Sequence, residues 1–444
     1  MKKLQAGAAI IDVTPKKPMF LYGYPHVERI SQGVHDPLYA SALIINNSQI
    51  QIGFCAVDVI YISREITDRV RERVHQATGI PGKNFMISAS HTHSGPVIVN
   101  DAFNDPVVPK ADPKYISYLV DRLVQVYMEA FRNQKECEIA ITVTDGSGVG
   151  GNRRMKTDAT DPDVPIIALK DTEKNRIFAL STIYCMHPTV LHEDSKLYSA
   201  DFPGYTRAYI RKKLGDNVVL LYHTGPAGNQ STRHFIKSNT FDEAKRMGYM
   251  LGERITDCIH RLENIHFKEW VPISARHAKV TLPKKSFMPH EVAEEKVTLL
   301  KNKLKQMRLD KAPVSEIRTI EVDWFGAEEN KQLAEIAASG EMERIYQSVL
   351  PAEIDVIGIG DTQFIFLPGE LFVEYSLTIK EKSPVKSYVT SLSNGVLAGY
   401  LVTEEAEQEG GYEAFNSVFP AKSGQVMVDK ALALLDSNIT NLKG

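Results

Sequence analysis

His91 and His93 stand one residue apart in Ser88-Ala89-Ser90-His91-Thr92-His93-Ser94-Gly95-Pro96, directly after the apolar run Phe85–Ile87. Residues two apart on an extended strand point to the same side, so the spacing predicts two imidazoles facing one pocket. Imidazole ligates metals and carries protons near neutral pH, and the small neighbours leave room around it. A solvated strand end with two idle histidines is the plain alternative. The choice turns on partners elsewhere in the chain.

Further candidates follow other apolar runs. His187, in Met186-His187-Pro188-Thr189, comes after Phe178–Cys185, and the proline confines it to extended backbone. On its own it reads equally as a packed histidine. Glu370 closes Leu367-Pro368-Gly369-Glu370, where Gly369 permits a tight turn that sets the carboxylate at a sheet edge. The same carboxylate suits the start of a following helix.

The glycine loop Thr224-Gly225-Pro226-Ala227-Gly228-Asn229-Gln230-Ser231 offers N–H groups to an oxyanion, or is simply a turn. No lysine follows in the place a phosphate loop requires. His35 precedes a strand start and either reaches the site or forms a surface turn. Asp58, after Phe54–Val57, either orients a ligand histidine or caps a turn, and Asp201 has the same two readings. His192, His223 and His234 carry no signal in their spacing.

The elements that must position these groups alternate along the chain. Strands are predicted at Ala8–Val13, Ala42–Ile45, Ile52–Val57, Ile139–Val143, Val164–Leu169, Phe178–Cys185, Asn217–Tyr222, Ile354–Ile359 and Phe364–Leu367. Helices are predicted over Ser63–Thr78, ending at Gly79, and over Pro113–Asn133, Phe241–Leu262 and Ser423–Leu435. Glu291–Leu309 and Ala327–Ser339 read as a charged hairpin on the outside. The expected fold class is α/β (mixed α+β), a layered domain around a mixed β-sheet with flanking helices. One domain, 1–444, carries a helical insertion at about 289–347.

At 444 residues, 43% hydrophobic and 24% charged, the chain has the make-up of an ordinary globular protein. A net charge of -3 and a pI near 6.5 argue against nucleic acid as partner. No apolar run is long enough to span a bilayer, so no stable membrane insertion is expected. The segment Met1-Lys2-Lys3-Leu4-Gln5-Ala6-Gly7 lacks the apolar core of a signal peptide. Cys55, Cys137, Cys185 and Cys258 lie far apart, without metal-type spacing, and suit a reduced interior. A cytoplasmic location and a small-molecule substrate are the expectations; the oligomeric state is left open.

Taken together the motifs resemble those of the neutral (non-lysosomal) ceramidase family of zinc amidases. The likeness rests on Asp12-Val13-Thr14-Pro15, His91-Thr92-His93-Ser94-Gly95-Pro96, Gly151-Asn152-Arg153, His187-Pro188, Asp201 with Gly204-Tyr205, Pro368-Gly369-Glu370 and Gly399-Tyr400-Leu401-Val402-Thr403-Glu404-Glu405. These occur in the family's order. The resemblance implies one zinc ion held by His91, His187, Glu370 and Tyr400, ligand types that suit zinc. It leaves His93 to hydrogen-bond the reacting carbonyl or leaving group. Arg153 would stabilise developing negative charge, with donors from the loop that contains Asn229.

Three departures accompany it. Gly228 stands at the family's serine position, a further β-sandwich domain is not expected after the last helix, and no secretion signal is expected. The expectation is therefore a zinc-dependent hydrolase that cleaves an amide or ester through metal-activated water, on a soluble substrate. Other bond types on the same scaffold (lactone, phosphoester, sugar derivative) and a non-catalytic metal-binding role are the alternatives.

Overall fold

Apolar runs of the N-terminal half assemble into an eight-stranded mixed sheet in the computed structural model, which describes residues 3–24, 27–100, 107–261 and 267–442. Its strands are β1 (Gln5–Asp12), β3 (Tyr39–Asn46), β4 (Gln51–Val57), β5 (Phe85–Ala89), β7 (Lys135–Asp145), β9 (Asp163–Asp171), β10 (Arg176–Tyr184) and β11 (Val219–Thr224), in the order β11-β10-β9-β7-β1-β3-β4-β5. The pairs β4–β5 and β10–β11 are parallel. A four-stranded sheet follows, β13 (Ile273–Val280), β14 (Ala352–Ile359), β15 (Thr362–Phe366) and β17 (Lys386–Thr390), in chain order and parallel only at β15–β17. Three short ladders complete the strands: β2 (Leu21–Tyr22) with β6 (Gly95–Pro96), β8 (Gly151–Asn152) with β12 (Gln230–Ser231), and β16 (Glu370–Leu371) with β18 (Tyr400–Leu401).

The large sheet hinges in its middle. Only Gln5–Glu136 and Ala6–Lys135 pair β1 with β7, so its halves fold toward each other and the second sheet forms the third wall of a shared core. Ile52 and Phe54 of β4, Ile167 of β9, Leu221 of β11 and Ile357 and Phe366 of the second sheet meet there, with the Phe54 and Phe366 rings stacked 5.5 Å apart. Period-two alternation turns Cys55 and Val57 the other way, toward α1 (Arg64–Thr78) and α2 (Pro113–Arg132). Likewise α3 (Phe202–Leu214) and α4 (Phe241–Arg261) cover the half that contains β10 and β11. Ile354 and Val356 of β14 pack under α8 (Val373–Lys382) and α11 (Lys422–Leu442). The mixed α/β class holds, with a second sheet added to the one expected.

Local signals work where expected. Ser63 Oγ accepts the Ile66 N–H at the start of α1, and Gly79, at φ 74, ends it. The four cysteines are buried and free. Leu262, the expected end of α4, lies outside the described residues. Among the described residues no helix is long and apolar enough to cross a membrane.

The charged hairpin differs from its prediction. α5 (His290–Leu309) is as expected, but α6 runs Val314–Ala338, beginning well before Ala327. Its first half faces a cleft rather than the outside. α7 (Met342–Val349), α9 (Glu404–Glu409) and α10 (Tyr412–Phe415) are short connectors.

Candidate metal centre and the cleft above it

The carboxyl ends of β5, β10 and β15 each deliver one polar side chain to the same buried point. After β5, the Ser90 and His91 N–H groups donate to the Val57 and Val59 carbonyls at 2.9 Å each. This turns the backbone, and His91 takes φ 69. The pair is therefore not an extended strand end, as the spacing argument assumes. The rings nevertheless meet, with centroids 4.9 Å apart and planes at 82°. The turn brings them together, not the pleat.

Each ligand-type histidine has one nitrogen committed to the main chain. His91 Nδ1 lies 2.8 Å from the Ile60 carbonyl. His187 Nδ1 lies 2.6 Å from the Ala227 carbonyl and 3.0 Å from that of Gln230. A carbonyl only accepts, so in each ring Nδ1 carries the proton and Nε2 presents a lone pair inward. Burial, reinforced by Arg153, lowers His187 to about 4, which keeps that ring neutral.

Glu370 meets those lone pairs. Its Oε2 is 3.1 Å from His187 Nε2 and 3.3 Å from His91 Nε2, while Oε1 accepts from Tyr61 Oη at 2.5 Å. Gly369, at φ 88, makes the turn that presents Glu370, and a Cβ there would come within 2.9 Å of Leu397. The tight turn read from the sequence is present.

Acceptors thus converge on one point with no proton to share, an arrangement that suits a cation. His93 stands beside them, its Nε2 3.4 Å from His91 Nε2. Burial, then His91 and His187, hold its pKa well below the ordinary histidine value. His91, His93 and His187 offer ligand atoms all within 4.8 Å of one another, so this group could hold a metal ion.

Tyr400 is brought to the same place by the β16–β18 ladder, in which it pairs with Glu370. Burial and the Glu370 charge push its phenol up. Arg153 leans on it, Cζ 5.4 Å from the ring centre, and donates through Nε to Glu413 at 2.8 Å. Sequence reasoning missed Tyr61, although it sits just past the apolar run Phe54–Val57. It also missed the buried Arg29, which donates to the His93 carbonyl at 3.0 Å. Neither has a motif around it.

Other candidates lie elsewhere. His35 hydrogen-bonds Tyr205 at 2.7 Å and stacks on Phe241, engaged with α3 and α4 rather than with the cluster. Asp58 pairs with Arg207 at 2.8 Å and accepts from the Tyr39 N–H; the Ile60 carbonyl, not this carboxylate, orients His91. Asp201 caps α3 through the Phe202 N–H and also accepts from the Leu191 N–H; burial raises it to about 7.

Asn229 does not reach the cluster as a donor. Its Nδ2 bonds both Glu374 oxygens, and its Oδ1 accepts the Val373 N–H, which ties the glycine loop to α8. Gly228 packs on β16, where a Cβ would meet the Leu371 and Glu370 carbonyls at 3.0 and 3.1 Å. A side chain there would press on the strand that presents Glu370.

Above the cluster opens a cleft of about 600 Å³. His93, Arg153 and Tyr400 line one side; Tyr24, Arg233 and the first half of α6 line others.

Residues 4–236 match the family model for the neutral/alkaline non-lysosomal ceramidase N-terminal region. Among curated proteins, neutral ceramidase A of Dictyostelium discoideum is 23% identical over 281 residues, 58% of this chain and 39% of that protein. Neutral ceramidase 3 of Arabidopsis thaliana is 34% identical over 94 residues, 20% of this chain and 13% of that protein. These matches span well under half the length of either relative. The crystal structure of neutral ceramidase from Pseudomonas aeruginosa shares the fold, with a TM-score of 0.73 at 17% identity, over 98% of this chain and 75% of that one.

Proposed function

From the premise that this chain belongs to the neutral/alkaline non-lysosomal ceramidase family, we propose that it is a zinc-dependent hydrolase that cleaves the amide bond of a soluble substrate. The observation that carries this reading is the convergence of His91 Nε2, His187 Nε2 and a Glu370 oxygen within 3.3 Å. His91, His187, Glu370 and Tyr400 would hold the ion, nitrogen and oxygen donors that suit zinc. Such an ion supplies a Lewis acid and lowers the pKa of water from about 15.7 to roughly 7.

The chain's own groups do the rest. The Ile60, Ala227 and Gln230 carbonyls fix the tautomers of the two ligand rings. The Tyr61 hydroxyl holds Glu370 in place. His93, neutral and at the cleft floor, is suited to hydrogen-bond the amide, and Arg153 to stabilise negative charge on the carbonyl oxygen. No serine is needed, in keeping with Gly228.

A soluble substrate is supported by the charged side chains along the cleft. The test is hydrolysis by zinc-loaded protein of N-hexanoylethanolamine, of a ceramide in detergent micelles, and of lactone and phosphoester counterparts. The expected result is turnover of the soluble amide above the ceramide. Turnover of only the lactone or phosphoester, or full activity and zinc content in His91→Ala, would overturn the proposal.

A further inference from the structure

We propose that Arg233, braced on α6, binds an oxyanion borne by the substrate, a carboxylate or a phosphoryl group. This rests on the reading of the cleft as the amidase site and names the substrate class it takes.

The other arginines of the cleft have carboxylate partners. Arg153 meets Glu413 at 2.8 Å, Arg154 meets Glu409 at 2.8 Å, and Arg318 lies between Glu321 at 2.7 Å and Glu193 at 3.3 Å. Arg233 has none among the described residues. Its one side-chain bond runs from Nη2 to Thr319 Oγ1 at 3.1 Å, which leaves most of its five N–H donors open. Asp323, the remaining cleft acid on α6, accepts the Tyr412 N–H instead.

The surroundings sharpen the imbalance. Arg233 is only partly exposed, and burial, then the charges of Arg153 and Arg318, lower its pKa. Glu413 and Asp323 pull the other way, but neither comes within ion-pair distance, and a half-buried guanidinium beside two like charges is costly without a direct counter-ion. An incoming carboxylate or phosphoryl group relieves that cost with the planar, two-pronged geometry guanidinium favours. The position fits the chemistry too. Ser231, two residues earlier, bridges to the main chain of His187, so an anion held at Arg233 is registered against the metal centre.

The experiment measures binding to zinc-loaded protein by calorimetry for three probes that share one acyl chain: N-hexanoylethanolamine, N-hexanoylglycine and the phosphate ester of N-hexanoylethanolamine. Either anionic probe should bind roughly tenfold or more tightly than the neutral one, and which of the two is tighter identifies the oxyanion. Arg233→Gln should bring all three within about threefold, and Arg233→Lys should keep part of the preference. Equal binding of charged and neutral probes, no binding of any, or an undiminished preference in a folded Arg233→Gln protein would each overturn the proposal. Discrimination in binding without hydrolysis of any probe would leave Arg233 its role and remove the amidase reading.

Discussion

Two buried clusters in this molecule use the same residue types to opposite ends. At one, His91 and His187 turn their Nδ1–H groups outward, to main-chain carbonyls, and their Nε2 atoms inward, where they meet the Glu370 carboxylate. At the other, between β13, β14 and α1, each carboxylate faces a donor, although Arg71 Nη2 and His277 Nε2 have no hydrogen-bond partner. Asp355, fully buried, accepts from His277 at 2.6 Å and from Asn394 at 2.7 Å. Arg71 donates to Glu353 at 2.6 Å and to the Phe85 carbonyl at 2.8 Å. The second cluster pairs its carboxylates with donors from its own residues and holds the fold. The first is left short of positive charge, and that shortage makes it a site. Residue type says little here; the direction of the protons says almost everything.

The largest expected effect tests that distinction at once. Glu370→Gln replaces an inward acceptor with an amide, so bound zinc should fall well below one equivalent and activity by about 10³-fold or more. Metal analysis beside kinetics reads both. Asp355→Ala should do the reverse: it should leave zinc in place and lower folding stability by about 3–5 kcal/mol, because Arg71 and His277 lose their buried counterpart. If denaturant melts show Asp355→Ala unperturbed, or if it sheds zinc as fully as Glu370→Gln, the division between the clusters fails.

Acid gives the next test. Burial lowers His187 to about 4 and His223 to about 3; the two His223 ring nitrogens meet the Ser88 and Ser181 hydroxyls. Both rings stay unprotonated when folded and take up protons below about 6.5 when unfolded. Unfolding then binds protons, so stability is full above that pH and falls as pH drops toward 4. Saturating zinc should deepen the dependence by competing with protons at His187 and leave the share of His223 as it was. An acid profile identical with and without zinc would remove His187 from the metal site.

The smallest effect concerns a support. Gly228→Ala places a methyl about 3.0 Å from the Leu371 carbonyl and the Phe372 ring, and overpacking of this kind costs about 1–3 kcal/mol. A measured change near zero would mean that the glycine loop and β16 can part without consequence.

Much of the site was visible in the sequence because apolar strands end abruptly at polar residues. His91, His187 and Glu370 each follow such a run. The fold class and most strands could be read for the same reason. What stayed hidden has no residue-type signature. The groups that orient the histidines are carbonyls of Ile60, Ala227 and Gln230, which any residue would supply. Asn229, Asp58 and His35 have the right chemistry, but their polar atoms have closer partners elsewhere. α6 was read short because its apolar residues face two ways: Val322 and Phe325 line the cleft, while Leu333 and Ile336 enter the core under the second sheet. No single stripe announces the helix.

The placement of α6 has a consequence for descent. β13 and β14 pair directly, Val280 opposite Ala352, and α5, α6 and α7 are all carried in the connection between these two neighbours. A simple turn would close the same hairpin. Mutations, insertions or exchanges confined to that connection can therefore reshape one wall of the cleft while the loops that carry His91, His187 and Glu370, borne on other strands, are inherited unchanged. That wall of the cleft and the loops that carry His91, His187 and Glu370 occupy separate stretches of the gene, free to diverge at different rates.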